Sequence, residues 1–385
     1  MINPIATVDP QDLRAEEIFC HLPANRVGEA ERTYVNELFE AGFGNWESAG
    51  MLDRFERAFA TIQAGAVPVL ADIDPDTFNI DPADIECRIT PYTKAIVVIC
   101  LHGLPVEFDE ILALARKHNL TLIEDNAQCF LSYYKGRLVG TLGDAASFSF
   151  QGSKHITSAG DGGIVITNDE AYGTRIRKAA VHGYRTLTAA PGATMIPRDE
   201  RQDWSYERYD SLGYNFRMSA AQAAFGLGQL ERLDYLVAAR RYIAARFEQV
   251  IREENCKWLV PPVVPEGMTH SYFIYACKLD EKAVGVDWRT WRRTFIEKGG
   301  DGLYGSCLPT HLEPIFRTMS WHGAVERAPH FDPRYKGSVK GYRAGDYPNV
   351  ESIYKGLCSF KTSMQTIEAV EREVAALRAT IRHYS

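Results

Sequence analysis

The stretch Leu120–Asp169, LTLIEDNAQCFLSYYKGRLVGTLGDAASFSFQGSKHITSAGDGGIVITND, decides the fold of this 385-residue chain. It opens with a short apolar run that ends in the acid Asp125. A second short run, ASFSF (146–150), follows, then the loop 151–163 carrying Lys154 and the glycine pair Gly162 and Gly163, then a third run, GIVITND (163–169). Upstream, AIVVICLHG (95–103) reads as another strand. Between it and the first run, FDEILALARKHN (108–119) has apolar positions at helical spacing and a basic last turn. Strand, helix, strand in that order is a βαβ unit, which demands a parallel sheet. AVPVLADI (66–73) predicts one more strand of the same sheet.

Residues 219–250 predict one long helix or two in succession, leading into a second region where strand-like (269–279) and helix-like (287–300) segments alternate before a closing helix near 363–381. The first sixty residues read as helical, and Leu187–Tyr209, polar and with two prolines, reads as a long loop. The expected organisation is an N-terminal and large domain over 1–235 and a smaller C-terminal α/β domain over 236–385. Lys plus Arg (43) against Asp plus Glu (50) leaves a net charge of −7, which argues against nucleic-acid binding by bulk electrostatics. No apolar run approaches the ~18 residues of a membrane span, and the acidic start is unlike a signal peptide. Eight cysteines without a C-x-x-C pair read as reduced, mostly buried thiols, and a cytoplasmic location is expected.

The chemistry gathers around Asp125 and Lys154. A carboxylate at the C-terminal end of a parallel strand lies where α/β folds place ligands. In an enzyme using pyridoxal 5'-phosphate (PLP) such a carboxylate pairs with the pyridine nitrogen, and a lysine on the loop after the next strand forms the Schiff base and shuttles a proton. No G-x-G-x-x-G follows a strand, so a dinucleotide-binding dehydrogenase is disfavoured.

The chain resembles the DegT/DnrJ/EryC1/StrS sugar aminotransferases, which have the fold-type-I architecture: an α/β/α large domain with a mostly parallel sheet and a smaller C-terminal α/β domain. The likeness runs from about Gly65 to Leu233, through AGAVPVLADIDPDTFNIDP, YTKAIVVICLHGLPVEFDEI, the 123–169 segment and LGYNFRMSAAQAAFGLGQLERLD. The resemblance implies that Asp125 binds the pyridine nitrogen, Gln128 lies against the ring and its phenolic oxygen, Ser149 donates to the phosphate and Lys154 forms the Schiff base. Asn215 matches an asparagine that extends into the neighbouring subunit's phosphate site, which implies a homodimer with shared active sites. Relatives acting as 3-dehydratases carry histidine in place of the lysine. This chain reads Ser153-Lys154-His155, so the resemblance implies amino transfer, from glutamate or glutamine to a keto-sugar. His182, Tyr184, Tyr304, His311 and Glu313 are candidate sugar contacts.

The chain departs from the family after Phe55–Ala60 (FERAFA), which runs directly into TIQAGAVPV. Members have several dozen more residues here, including an S/N-G-T turn that holds the cofactor phosphate at a helix N-terminus. Two explanations stand: a true deletion, or a segment missing between Ala60 and Thr61, which would leave their Cα atoms far more than ~3.8 Å apart. The intact cofactor residues and the burial lost by excising α/β core favour the second. A true deletion would favour a catalytically silent relative that binds a sugar nucleotide or regulates.

Overall fold

The computed structural model describes residues 69–190, 198–301, 303–318 and 341–385, and the single positions 14, 28, 31 and 196. The helices expected in the first sixty residues and the junction of Ala60 with Thr61 lie outside the described residues.

The first sheet has the order β1 (Ala95–Ile99), β2 (Thr121–Asp125), β5 (Ala145–Ser149), β6 (Gly163–Ile166). β1–β2 and β2–β5 are parallel and β6 is antiparallel, as the βαβ reading predicts for the first pair. Helix α1 (Pro82–Arg88) precedes β1. Helix α2 (Phe108–His118) is the crossover, burying Phe108, Ile111, Leu114 and Ala115, and it ends on Asn119 in the left-handed conformation. The predicted strand over 66–73 is not formed in its described part; only Ile73 makes a bridge, to Ile80, because the acid-rich turn at 74–77 folds the chain back on itself. β3 (Tyr133–Tyr134) and β4 (Arg137–Leu138) form a small hairpin between β2 and β5.

After α3 (Glu170–Ala180) the expected long loop contains a short helix, Arg198–Gln202. The predicted 219–250 helix is two. The first, α4 (Ala220–Leu230), starts on a Ser219–Gln222 capping box; the second is α5 (Leu233–Glu253). The second sheet has the order β7 (Leu259–Val260), β8 (Ile274–Leu279), β10 (Leu357–Lys361), β9 (Leu303–Tyr304), all antiparallel. Helices α6 (Trp288–Glu297) and α7 (Ile367–Tyr384) begin on Asp287 and Thr366 caps and pack on it with α5. The main apolar core joins these helices to one face of that sheet and reaches Phe130, Phe150 and Ile156, which flank Lys154 from both sides along the chain. Among the described residues no helix is long and apolar enough to cross a membrane. Of the seven described cysteines, Cys100, Cys129, Cys277 and Cys358 are buried, and all seven are free.

Glu124, fully buried beside Asp125, shows what ties the hairpin to β2. Its carboxylate accepts the backbone N–H groups of Gly140 (2.6 Å), Leu142 (2.8 Å) and Gly143 (2.7 Å), and the Asn126 amide (3.1 Å). Removing it orphans three backbone amides, one of them fully buried. Glu124→Ala should therefore cost about 3 kcal/mol in urea unfolding, and a loss below about 1 kcal/mol would contradict this account.

Candidate active site

Sheet register sets the site. Ile99 pairs with Asp125, and Asp125 with Ser147, so the C-terminal ends of β1, β2 and β5 lie side by side. Asp125 ends β2 half-buried, with its Oδ1 accepting the N–H of Ala127 at 3.0 Å. Ser149 ends β5 opposite Gly163 of β6, and its Oγ accepts the N–H of Gln151 at 3.3 Å. The loop between these strands carries Lys154. Its return needs the glycine pair: a Cβ on Gly162 would lie 2.4 Å from Ser158 Oγ, and one on Gly163 would lie 2.8 Å from the Phe148 carbonyl oxygen. Gln128 turns its Oε1 back to accept the His102 N–H at 2.9 Å. Its amide nitrogen has no partner among the described residues.

Lys154 Nζ is half-buried and sits 4.6 Å from the Phe273 ring centroid. Burial pushes its pKa below the usual lysine value, Asp125's charge opposes that, and the Arg240 guanidinium adds to it. Arg240 is itself buried on α5. It donates to the carbonyls of Ser153 (3.2 Å), Lys154 (3.0 Å) and Phe273 (2.8 Å), and to Thr362 Oγ1 (3.1 Å). It thereby fixes the lysine loop to the ends of β8 and β10. The neighbouring Arg241 holds the carbonyls of Leu131 and His270 in the same way.

Three histidines stand around this loop. His102, just past β1 and at φ 58°, has a shielded Nδ1 with no partner among the described residues. Burial lowers its pKa to about 4, and burial likewise holds His155 and His270 well below the ordinary value.

A second group lies on the segment after α3. Asn215 is exposed, pairs its backbone with Val181, and accepts the Arg217 Nε–H at 2.8 Å. His182 faces Arg217 at 3.4 Å and stands edge-on to Tyr184, which stacks on Tyr209. Of the remaining candidates, Tyr304 is exposed and lines a cavity beside Lys154, described below. His311 is buried, bonds Glu351 at 2.8 Å and packs on Tyr347; it does not line that cavity. Glu313 precedes a short helix, Pro314–Thr318, and its carbonyl accepts from Phe316 and Arg317. The structure thus joins Asp125, Gln128, Ser149 and Lys154, and sets Asn215, His182 and Tyr184 together elsewhere.

Residues 54–320 match the profile of the DegT/DnrJ/EryC1/StrS aminotransferase family. The chain belongs to that family. A spore coat polysaccharide biosynthesis protein of Bacillus subtilis is 33% identical over 294 residues, covering 76% of this chain and 68% of that protein. GDP-perosamine synthase of Caulobacter vibrioides is 40% identical over 217 residues, 56% of this chain and 53% of that enzyme. The crystal structure of an aminotransferase from Psychrobacter cryohalolentis superposes with a TM-score of 0.72 at 21% identity, over 94% of this chain and 99% of that one. The fold is therefore that of the PLP aminotransferases, as the 120–169 stretch and its neighbours imply. In this family member, sequence reading missed Arg240, which lies on the 236–240–243–247 apolar stripe of α5, and His102, a histidine directly after a strand. A charge on an apolar helix face was the available signal for the first.

Two outcomes follow. The buried neutral histidines bind protons only when unfolded, so their stabilisation is present at pH 6.5 and above and is lost as pH falls toward about 4. His102→Gln should flatten that loss by about 1.4 kcal/mol per pH unit in denaturation curves, and an unchanged slope would contradict the burial. The chemical modification of Lys154, read by mass spectrometry against pH, should have a midpoint below the ordinary 10.5. Arg240→Met should raise that midpoint and cost about 3 kcal/mol of stability through orphaned carbonyls, whereas Arg240→Lys should hold the midpoint down.

Proposed function

We propose that the protein transfers an amino group from glutamate or glutamine to a keto-sugar, nucleotide-linked, using PLP attached covalently at Lys154. The observation that carries this reading is a half-buried lysine amine of lowered pKa within the field of a strand-end carboxylate, Asp125. The residues present fit the cofactor. Asp125 would hold a proton on the pyridine nitrogen. Gln128 has an amide donor to spare, and the Ser149 hydroxyl proton is available to an anion. PLP, when bound, supplies an electron sink for charge developing at the amino-bearing carbon. Lys154 would move a proton at that carbon, and its lowered pKa favours the free amine that accepts it. The Phe273 ring covers one side of the amine.

The same reading makes the active unit a cytoplasmic homodimer. Trp204 and Leu212 are 94% and 97% exposed, and Tyr209 and Tyr214 stand open around Asn215, an apolar surface suited to a second copy. His182 and Tyr184 would then serve the partner's sugar, and Tyr304 its own. The chain divides into a cofactor-binding part, 1–235, and a smaller part, 236–385.

Purified with PLP, the protein should show the yellow absorbance of lysine-bound cofactor and should move label from glutamate to one member of a keto-sugar panel. Lys154→Ala should lose both, with turnover below about a thousandth, and Asp125→Asn should fold normally while kcat drops at least about a hundredfold. Turnover surviving in Lys154→Ala would refute the assignment. A colourless wild type inert toward every sugar would favour the silent relative.

A further inference from the structure

The cavity beside Lys154 measures about 380 Å³ and lies between the lysine loop and one face of the second sheet. Strand β10 makes that face by simple alternation. Leu357, Ser359 and Lys361 line the cavity, while Cys358 and Phe360 point the other way into the main core. Register adds the neighbours: Ser359 pairs with Tyr304 of β9, and Lys361 with Ile274 of β8, both cavity residues. The opposite wall is Ser153, Arg240, Phe273 and His102. Phe273 is the ring that Lys154 Nζ touches, so cavity and reactive amine share a wall.

The charge of this cavity is one-sided. Among the described residues that line it none is acidic, and it carries two cations, Arg240 and Lys361. Lys361 is only partly exposed, and among the described residues its ammonium makes no hydrogen bond and no ion pair. With no carboxylate to neutralise them, the two cations leave the cavity's field positive and open to an anion. Around it stand hydroxyls of Tyr304, Ser306 and Ser363, and the unpartnered His102 Nδ1, all able to bond an oxyanion's neighbours.

We infer that this cavity is the subsite for the α-carboxylate of the amino-acid donor, with Lys361 as its specificity-determining cation. This rests on the aminotransferase reading above and names the group that holds the donor. Two sources of anion are chemically open, a donor carboxylate or the phosphates of a nucleotide-linked acceptor. The volume selects the first. About 380 Å³ is at the small end of ligand pockets and suits an amino acid rather than a nucleoside diphosphate with its sugar. Position agrees, since Lys361 and Phe273 line the same cavity and Phe273 is the ring that Lys154 Nζ approaches.

Glutarate, a dicarboxylate without an amino group, tests this in the PLP-loaded protein without turnover. Calorimetric titration should show Lys361→Gln weakening glutarate at least tenfold, and Lys361→Arg keeping it within about threefold of wild type. GDP affinity should be the same in all three. In steady state Lys361→Gln should raise KM for glutamate about tenfold, and by more than it raises KM for the keto-sugar. Glutarate binding that is absent in wild type, or equal in Lys361→Gln, overturns the subsite; loss of GDP instead of glutarate assigns the cation to the acceptor's phosphates and also overturns it. If glutarate binding depends on Lys361 but no amino group moves from glutamate, the subsite stands and the proposed reaction fails.

Discussion

One buried guanidinium holds the functional part of this molecule together. Arg240 projects from α5 into the space between the two sheets and spends its donors on the carbonyls of Ser153, Lys154 and Phe273 and on the Thr362 hydroxyl. These four acceptors belong to three local structures: the lysine loop, the entry to β8 and the exit from β10. An arginine suits this task because its planar fork bonds several acceptors at once and keeps its charge when buried. Its field also reaches Lys154 and lowers the pKa of the amine whose loop it anchors. The side chain that positions the lysine loop thus also adds to what burial does to the amine.

The first sheet supplies the complementary constraint. Parallel pairing brings the ends of β1, β2 and β5 into line, so three short strands deliver three functional turns to one edge. Glu124 and Asp125 illustrate how adjacent acids divide labour by strand alternation. Glu124 is buried and saturated by backbone amides, which fixes the hairpin before β5, whereas Asp125 remains half-open with one oxygen bonded to Ala127. The antiparallel β6 then returns the lysine loop to the sheet at Gly163, where a side chain would collide with the Phe148 carbonyl.

The parts of this arrangement legible from residues alone were those governed by short-range periodicity. The βαβ unit and the strand β8 follow from apolar spacing within a few residues, whereas the break between α4 and α5 was left open by the sequence, since α5 starts without a side-chain cap. Family motifs carried Asp125, Ser149 and Lys154. The strand expected over 66–73 failed because an aspartate turn at 74–77 outweighs its apolar run, a competition that spacing does not rank. Arg240, His102 and Lys361 escaped notice for a different reason. Their roles arise from contacts across long stretches of chain, such as Arg240 with Thr362, and the one local sign, a charge on the apolar face of α5, does not name the partners. His311 shows the converse: its sequence context suggested a ligand contact, yet the fold commits it to Glu351 and Tyr347.

The alternation along β10 has an evolutionary consequence. Because Cys358 and Phe360 belong to the core while Leu357, Ser359 and Lys361 face the cavity, the two sets of positions can change under separate selection. Odd-numbered replacements can retune what small molecule is accepted while the packing of α5, α6 and α7 is left alone. A lineage could thus drift from one donor or acceptor to another through three side chains on a single strand. An insertion or deletion of one residue, by contrast, would exchange the two faces and destroy recognition and packing in the same event.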